Sequence, residues 1–128
     1  MIIFLDTSTP TCRLTFIDGD WHVDSEWEAA RELAKGLLGY IQTQLESHQK
    51  TWSDITGIVA FKGPGSFTGL RIGLTVLNTL ANANDVPIVG ETGSDWQTTG
   101  QGRLQAGDND KIVLPEYGAE AHITQPRK

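Results

Sequence analysis

Apolar and polar positions change period several times along this chain, and the changes mark its elements. Met1, Ile2, Ile3, Phe4 and Leu5 form an unbroken apolar run, which predicts a strand buried on both faces. After a polar turn from Asp6 to Pro10, the alternation of Cys12, Leu14 and Phe16 predicts a second strand. Asp18-Gly19 is a hairpin signal, and Trp21, Val23, Ser25 and Trp27 alternate in a third strand. From 28 to 48 the period lengthens to that of a helix. Ile58, Val59, Ala60 and Phe61 predict a short buried strand, residues 67–84 a second helix, and Val86, Pro87, Ile88 and Val89 another buried strand. Residues 92–111 hold four glycines and few apolar groups, so they read as loop with a short helix between Asp95 and Leu104. Ile112, Val113 and Leu114 read as a short extended piece, and residues 122–128 as a loose tail.

The order is β-β-β-α-β-α-β. Helical crossovers require the first, fourth and fifth strands to run parallel, while the opening meander is antiparallel. The chain is therefore α/β with a mixed five-stranded sheet, the topology of a single ribonuclease-H-like or actin-like ATPase lobe. Residues 1–91 make that lobe, and residues 92–128 a short loop-rich C-terminal extension of the same domain. The extension is too short for a second lobe of equal size, so that lobe is expected to be missing.

Both helices carry more apolar surface than one sheet can use. At ~100° per residue, Ala29, Tyr40, Leu33, Leu37, Ala30, Ile41, Ala34, Leu45 and Leu38 fill an arc of roughly 180° on the first helix. Ile72, Val76, Leu80, Gly73, Leu77, Leu70, Ala81 and Leu74 cover about as much on the second, where an arc of ~100° suffices against a sheet. The excess is buried either by helix–helix contact and the C-terminal segment or by another molecule. A partner interface is the expectation here, made by Leu33, Leu37, Ile41 and Leu45 of the first helix with Leu70, Arg71, Leu74, Leu77 and Ala81 of the second.

Composition narrows the function classes. The chain of 128 residues is 38% hydrophobic and 20% charged, ordinary for one globular domain. Its net charge of −6 argues against direct nucleic-acid binding, which needs a basic footprint. Residues 1–27 carry five acids and one base, and residues 85–110 the same imbalance; both read as solvated surface. No apolar run approaches the ~20 residues of a membrane span, and the apolar start lacks a basic flank, so a cytoplasmic location is expected. The single Cys12 rules out an intrachain disulfide and a cysteine-based zinc site.

The most informative stretch is Gly63, Pro64, Gly65, Ser66, Phe67, Thr68 and Gly69, at a strand-to-helix junction. Ser66 is a good N-cap. Such a loop either binds an anion at the helix terminus or lets the helix pack very close to the sheet. It fails the Walker A pattern, because Leu70 and Arg71 follow Gly69 where Lys-Ser/Thr is needed. It fails the dinucleotide fingerprint in both spacing and place. Glu91 lies where a ribose-binding acid could sit, but is read as coincidence. Asp6, Thr7 and Ser8, at the end of the first strand, stand where actin-like ATPases carry a phosphate loop; with no opposing lobe they read as a retained, vestigial turn. His22, His48 and His122 have no metal-ligand spacing, and Ser66 has no nucleophile-elbow context. No catalytic set emerges.

The run Gly63 to Gly73 (GPGSFTGLRIG), the apolar helix after it, and Val86, Pro87, Ile88, Val89 and Gly90 resemble the bacterial TsaB (YeaZ) family. Ile3, Phe4, Leu5, Asp6, Thr7 and Ser8 are similar to that family's opening strand and loop. The match covers residues 1 to about 91. The resemblance implies an accessory protein of N6-threonylcarbamoyladenosine (t6A) synthesis at tRNA position 37. It implies an actin-like fold without catalytic activity or resident cofactor, docking on the catalytic subunit TsaD through the two helices, with the ATPase TsaE as a further partner. An older glycoprotease label attached to the family gains no support from these residues. Asn78-Thr79 stands where the family often has Lys-Gly, and Ala29, Ala30, Arg31 and Glu32 where it has His-Ser-Glu. Leu114, Pro115, Glu116 and Tyr117 are similar to the family's C-terminal Pro-x-Tyr. Two rivals remain: a small enzyme binding ATP and magnesium through Asp6, Ser8 and the 63–69 loop, and a structural homo-oligomer, most simply a homodimer.

Overall fold

A computed structural model of the chain describes residues 1–118. Its strands are β1 (Ile2–Asp6), β2 (Thr11–Asp18), β3 (Trp21–Glu28), β4 (Gly57–Phe61) and β5 (Ile88–Glu91). Its helices are α1 (Leu33–Ser47), α2 (Phe67–Asn84) and α3 (Trp96–Gln105), with short 3-10 turns at Ala30–Glu32 and Trp52–Asp54. The strands form one sheet in the order β3-β2-β1-β4-β5. β1 runs antiparallel to β2 and parallel to β4, and β4 runs parallel to β5, as the crossover argument requires.

The pleat sorts the apolar residues onto two faces. Ile3 and Leu5 of β1, with Leu14, Phe16, Ile58, Ala60 and Ile88, look toward α1 and α2, which contribute Leu33, Leu37, Ile41, Leu45, Leu74, Leu77 and Ala81. Phe4, Val59 and Val89 look the other way, toward Trp96 and Leu104 of α3. Trp96 meets Phe4 and Phe61 edge-on, with ring centroids 6.2 and 5.5 Å apart. The short helix expected near 95–104 thus closes the second face of the central strands.

Element ends moved for local reasons. The first helix begins at Leu33, not at 28, because β3 runs on to Glu28 and Ala30 takes a φ of 45°. β5 begins at Ile88, not at Val86: the Val86 amide returns to the Ala81 carbonyl behind a left-handed Asp85, and Pro87 has no amide. Residues 112–114 are not a strand. Val113 is held by a side chain instead: Asn78 Nδ2 donates to its carbonyl at 2.9 Å, and its amide donates to Asn78 Oδ1 at 2.8 Å. The tail expected at 122–128 lies outside the described residues.

Three carboxylates are held below the ordinary aspartate range. The Thr15 hydroxyl does this for Asp24, and the Thr51 amide for Asp54. At Asp110 burial pushes upward, but bonds from Arg103 and the Gly90 amide outweigh it. A depressed folded pKa contributes stability that is complete above the unfolded value of about 3.9 and drains as pH falls through the folded values. The melting temperature is expected to hold from pH 7 to about 5 and to fall below about 4. Asp24→Asn and Asp110→Asn should each shrink that fall; thermal melts from pH 7 to 2.5 check it, and a profile unaltered by either change contradicts it.

Candidate functional site

The two loops singled out in the sequence lie against each other. The glycine loop leaves β4 through a cis Gly63–Pro64 peptide and enters α2 at Ser66. The Ser66 hydroxyl accepts from the Gly69 amide at 3.1 Å, capping the helix, while the Ser66 amide donates to the Ser8 carbonyl at 2.8 Å. The buried Thr7 hydroxyl donates to the Gly69 carbonyl at 2.7 Å. Asp6 Oδ1 accepts both the Ser8 amide, at 2.8 Å, and the Ser8 hydroxyl, at 2.6 Å. A Cβ on Gly65 would run into the main chain of Ser8, and one on Gly69 into the Thr7 carbonyl. Of the two roles open to this loop, the geometry carries out close packing: two main chains touch, and their polar atoms are engaged with each other.

The interface expectation needs a correction. Leu33, Leu37, Ile41, Leu45, Leu70, Leu74, Leu77 and Ala81 are all buried within this chain, so they are core and not a docking surface. Each helix has a wide apolar arc, and the sheet takes one edge of it; a projection shows the width but not which edge faces inward. The opposite edge is what a partner would meet. On α1 and the turn before it this is Ala30, Ala34 and Leu38, the last 52% exposed. On α2 it is Thr68, Ile72, Thr75 and Val76. All of these except Leu38 line two adjoining grooves of about 380 and 390 Å³, with Arg31 and Arg71 among their walls. Of the nine interface residues expected, only Arg71 is exposed; its guanidinium lies 5.1 Å from the centre of the Phe67 ring. The i, i+4, i+8 spacing of Thr68, Ile72 and Val76 was the signal that could have found this face.

The other flank of α2 is covered by its own chain. Besides the Asn78–Val113 pair, the Glu116 amide donates to the Lys62 carbonyl at 2.7 Å, and Tyr117 stacks on Phe67 at 4.4 Å. Residues 112–117 therefore shelter the side of α2 away from α1. The C-terminal segment thus covers part of the helical surface, and the grooves beside α1 stay open.

The remaining candidates resolve into structural roles. Glu91, in the ribose-acid position, binds Arg103 at 2.9 Å. His22 pairs with Asp24, and the His48 ring stands edge-on to Trp21 at 5.5 Å. Burial, helped by the Asp6 charge, pushes the Cys12 thiol up to about 12, so it is no nucleophile. Across the sheet, Asp6, Arg13, Thr15, Asp24, Ser25, Glu26, Trp96 and Gln97 line a polar cleft of about 280 Å³. Among the described residues no three His, Cys, Asp or Glu stand together as a metal site. No described helix is long and apolar enough to cross a membrane.

Residues 27–96, just over half of the chain, match the family model described as "TsaD: tRNA N6-adenosine threonylcarbamoyltransferase". The "tRNA threonylcarbamoyladenosine biosynthesis protein TsaB" of Escherichia coli (strain K12) is 32% identical over 113 residues, 88% of this chain and 48% of the relative. The protein of the same name from Bacillus subtilis (strain 168) is 57% identical over 35 residues, 27% of this chain and 15% of its own length. Among solved structures, "YeaZ from Pseudomonas aeruginosa" superposes with a TM-score of 0.66 at 27% identity, over 71% of this chain and 44% of that one. A second Pseudomonas aeruginosa structure, described as an uncharacterized protein with similarity to peptidase YEAZ, gives 0.67 at 28% identity, over 71% and 42%. The chain spans about half the length of the E. coli relative.

Proposed function

The chain belongs to the TsaB (YeaZ) family, and from that membership we propose that it is a non-catalytic accessory subunit of t6A synthesis that docks on the catalytic subunit TsaD through the outer edge of α1 and α2. The observation that carries this reading is the pair of open grooves between the helices. Their walls combine Ala30, Ala34, Ile72 and Val76 with the hydroxyls of Thr68 and Thr75 and the guanidinium groups of Arg31 and Arg71, which suits close approach by a partner's helices. The non-catalytic half is supported by the loops: the Ser8 amide and hydroxyl donate to Asp6, and the Ser66 hydroxyl caps the Gly69 amide, so neither a phosphate loop nor a nucleophile is held ready. TsaE and a second copy of this chain are further partners to be tested on the same face.

Co-purification with TsaD from the same organism is the test. Ala34→Glu and Thr75→Glu lie on exposed helix positions and place a charge inside the grooves. Each is expected to weaken capture at least about tenfold, because a larger, hydrated carboxylate fills the groove and must be desolvated by a partner even where Arg31 or Arg71 pairs with it. Capture unaltered by both variants would remove this face from the proposal. Reconstituted tRNA modification should depend on adding the protein. Titration with ATP and magnesium addresses the rival enzyme: tight binding lost in Asp6→Ala would favour it instead.

A further inference from the structure

β5 is the last strand on its side of the sheet, and such a strand leaves alternate residues with their main-chain groups pointing outward. The Pro87 and Glu91 carbonyls accept from Ile58 and Lys62 on the β4 side, so Ile88 and Gly90 face away from the sheet. Four polar groups would therefore stand open, the amide and carbonyl of each residue.

All four are taken by one short stretch of chain. The Ile88 amide donates to Asn109 Oδ1 at 3.1 Å, and the Ile88 carbonyl accepts from the Asp110 amide at 2.8 Å. The Gly90 amide donates to Asp110 Oδ2 at 2.9 Å, and the Gly90 carbonyl accepts from Arg103 Nη1 at 3.3 Å. Arg103 is fixed in turn by Glu91, Asp108 and Asp110. Asn109 Oδ1 also accepts from the Lys111 amide at 2.9 Å, holding its side chain in place. The stretch offers no outer ladder of its own. Lys111 takes a φ of 68°, and the Ile112 amide folds back onto the Asp110 carbonyl at 2.7 Å.

An exposed edge is ordinarily satisfied by water and is then open to another strand. Here three side-chain groups and the Asp110 amide reproduce the bonds of a sixth strand and then end the series. We propose that residues 103–112 are an edge seal whose role is to refuse strand addition at β5, so that no other chain extends the sheet at this edge. The seal stands whichever molecule occupies the helical face.

Amide hydrogen exchange on the full chain, followed by NMR, tests it. In the unaltered protein, Ile88 and Gly90 should be protected as well as Val89 and Glu91, which face β4. Asn109→Ala should speed exchange at Ile88, and Asp110→Ala at Gly90, by about tenfold or more while leaving Val89 unchanged. The double variant, its fold checked by circular dichroism, should form a concentration-dependent species heavier than the unaltered protein in light scattering. Two results overturn the proposal. One is Ile88 and Gly90 exchanging in the unaltered protein as fast as unprotected amides. The other is a folded double variant whose two amides exchange freely while its mass does not change. If the double variant does not fold, the single variants decide by the same two measurements.

Discussion

Leu37→Ala is expected to cost about 2–5 kcal/mol of folding stability, while Ala34→Glu, three residues away on the same helix, should cost less than about 1 kcal/mol. Leu37 is fully buried, in the middle of the Leu33, Leu37, Ile41 and Leu45 stripe that α1 lays on the sheet. Removing its isobutyl group loses the transfer energy of the missing carbons and leaves a cavity between rigid layers. For a domain of this size the loss should lower the melting temperature by about 10 °C or more. Ala34 is exposed, and glutamate is a good helix former, so nothing in the fold opposes that change. Urea and thermal unfolding of both variants check the pair. The reverse ranking would mean that the Leu33 stripe faces outward, and the assignment of core and docking face would exchange.

That contrast also marks how far the sequence could be read. The order of elements along the chain, the direction of each pairing and the span of α2 were legible, because alternation and the 3.6-residue period act over many positions and agree with each other. The two apolar arcs were legible as too wide. Which edge of each arc faced the sheet was not, because it depends on the roll of a helix about its own axis. That roll is settled by how Leu37 and Ile41 fit under α2 and the sheet, not by the order of residues. The glycine loop was legible as a tight junction, but its neighbour was not: contact with Asp6, Thr7 and Ser8 arises only when β1 and β4 lie side by side. The bonds that hold residues 103–117 were invisible. Asn78 to Val113 and Asp110 to Gly90 join side chain to main chain across 35 and 20 positions, with no periodic trace.

Three glycine-to-alanine changes should separate in sign. Gly39→Ala, on the exposed side of α1 with nothing within 4 Å of the added carbon, is expected to stabilise by up to about 1 kcal/mol through helix propensity. Gly69→Ala gains the same propensity in the first turn of α2, yet its new carbon would overlap the Thr7 carbonyl, a main-chain atom that cannot swing away. Gly65→Ala meets the Ser8 Cβ and carbonyl, which the main chain holds fixed in the same manner. Both should destabilise by about 1–3 kcal/mol, the usual cost of overpacking a fixed contact, so the clash outweighs the propensity gain at Gly69. The double variant should cost less than the sum, because one displacement of the 6–8 turn relieves both overlaps. Displacing that turn also moves Ser66 and Thr68, at the mouth of the grooves, so capture of TsaD should weaken in the Gly65 and Gly69 variants and stay unchanged in Gly39→Ala. Chemical denaturation beside co-purification reads both effects. If Gly69→Ala proved as stabilising as Gly39→Ala, the two loops would not be in main-chain contact, and the structural role given to the glycine loop would fail with it.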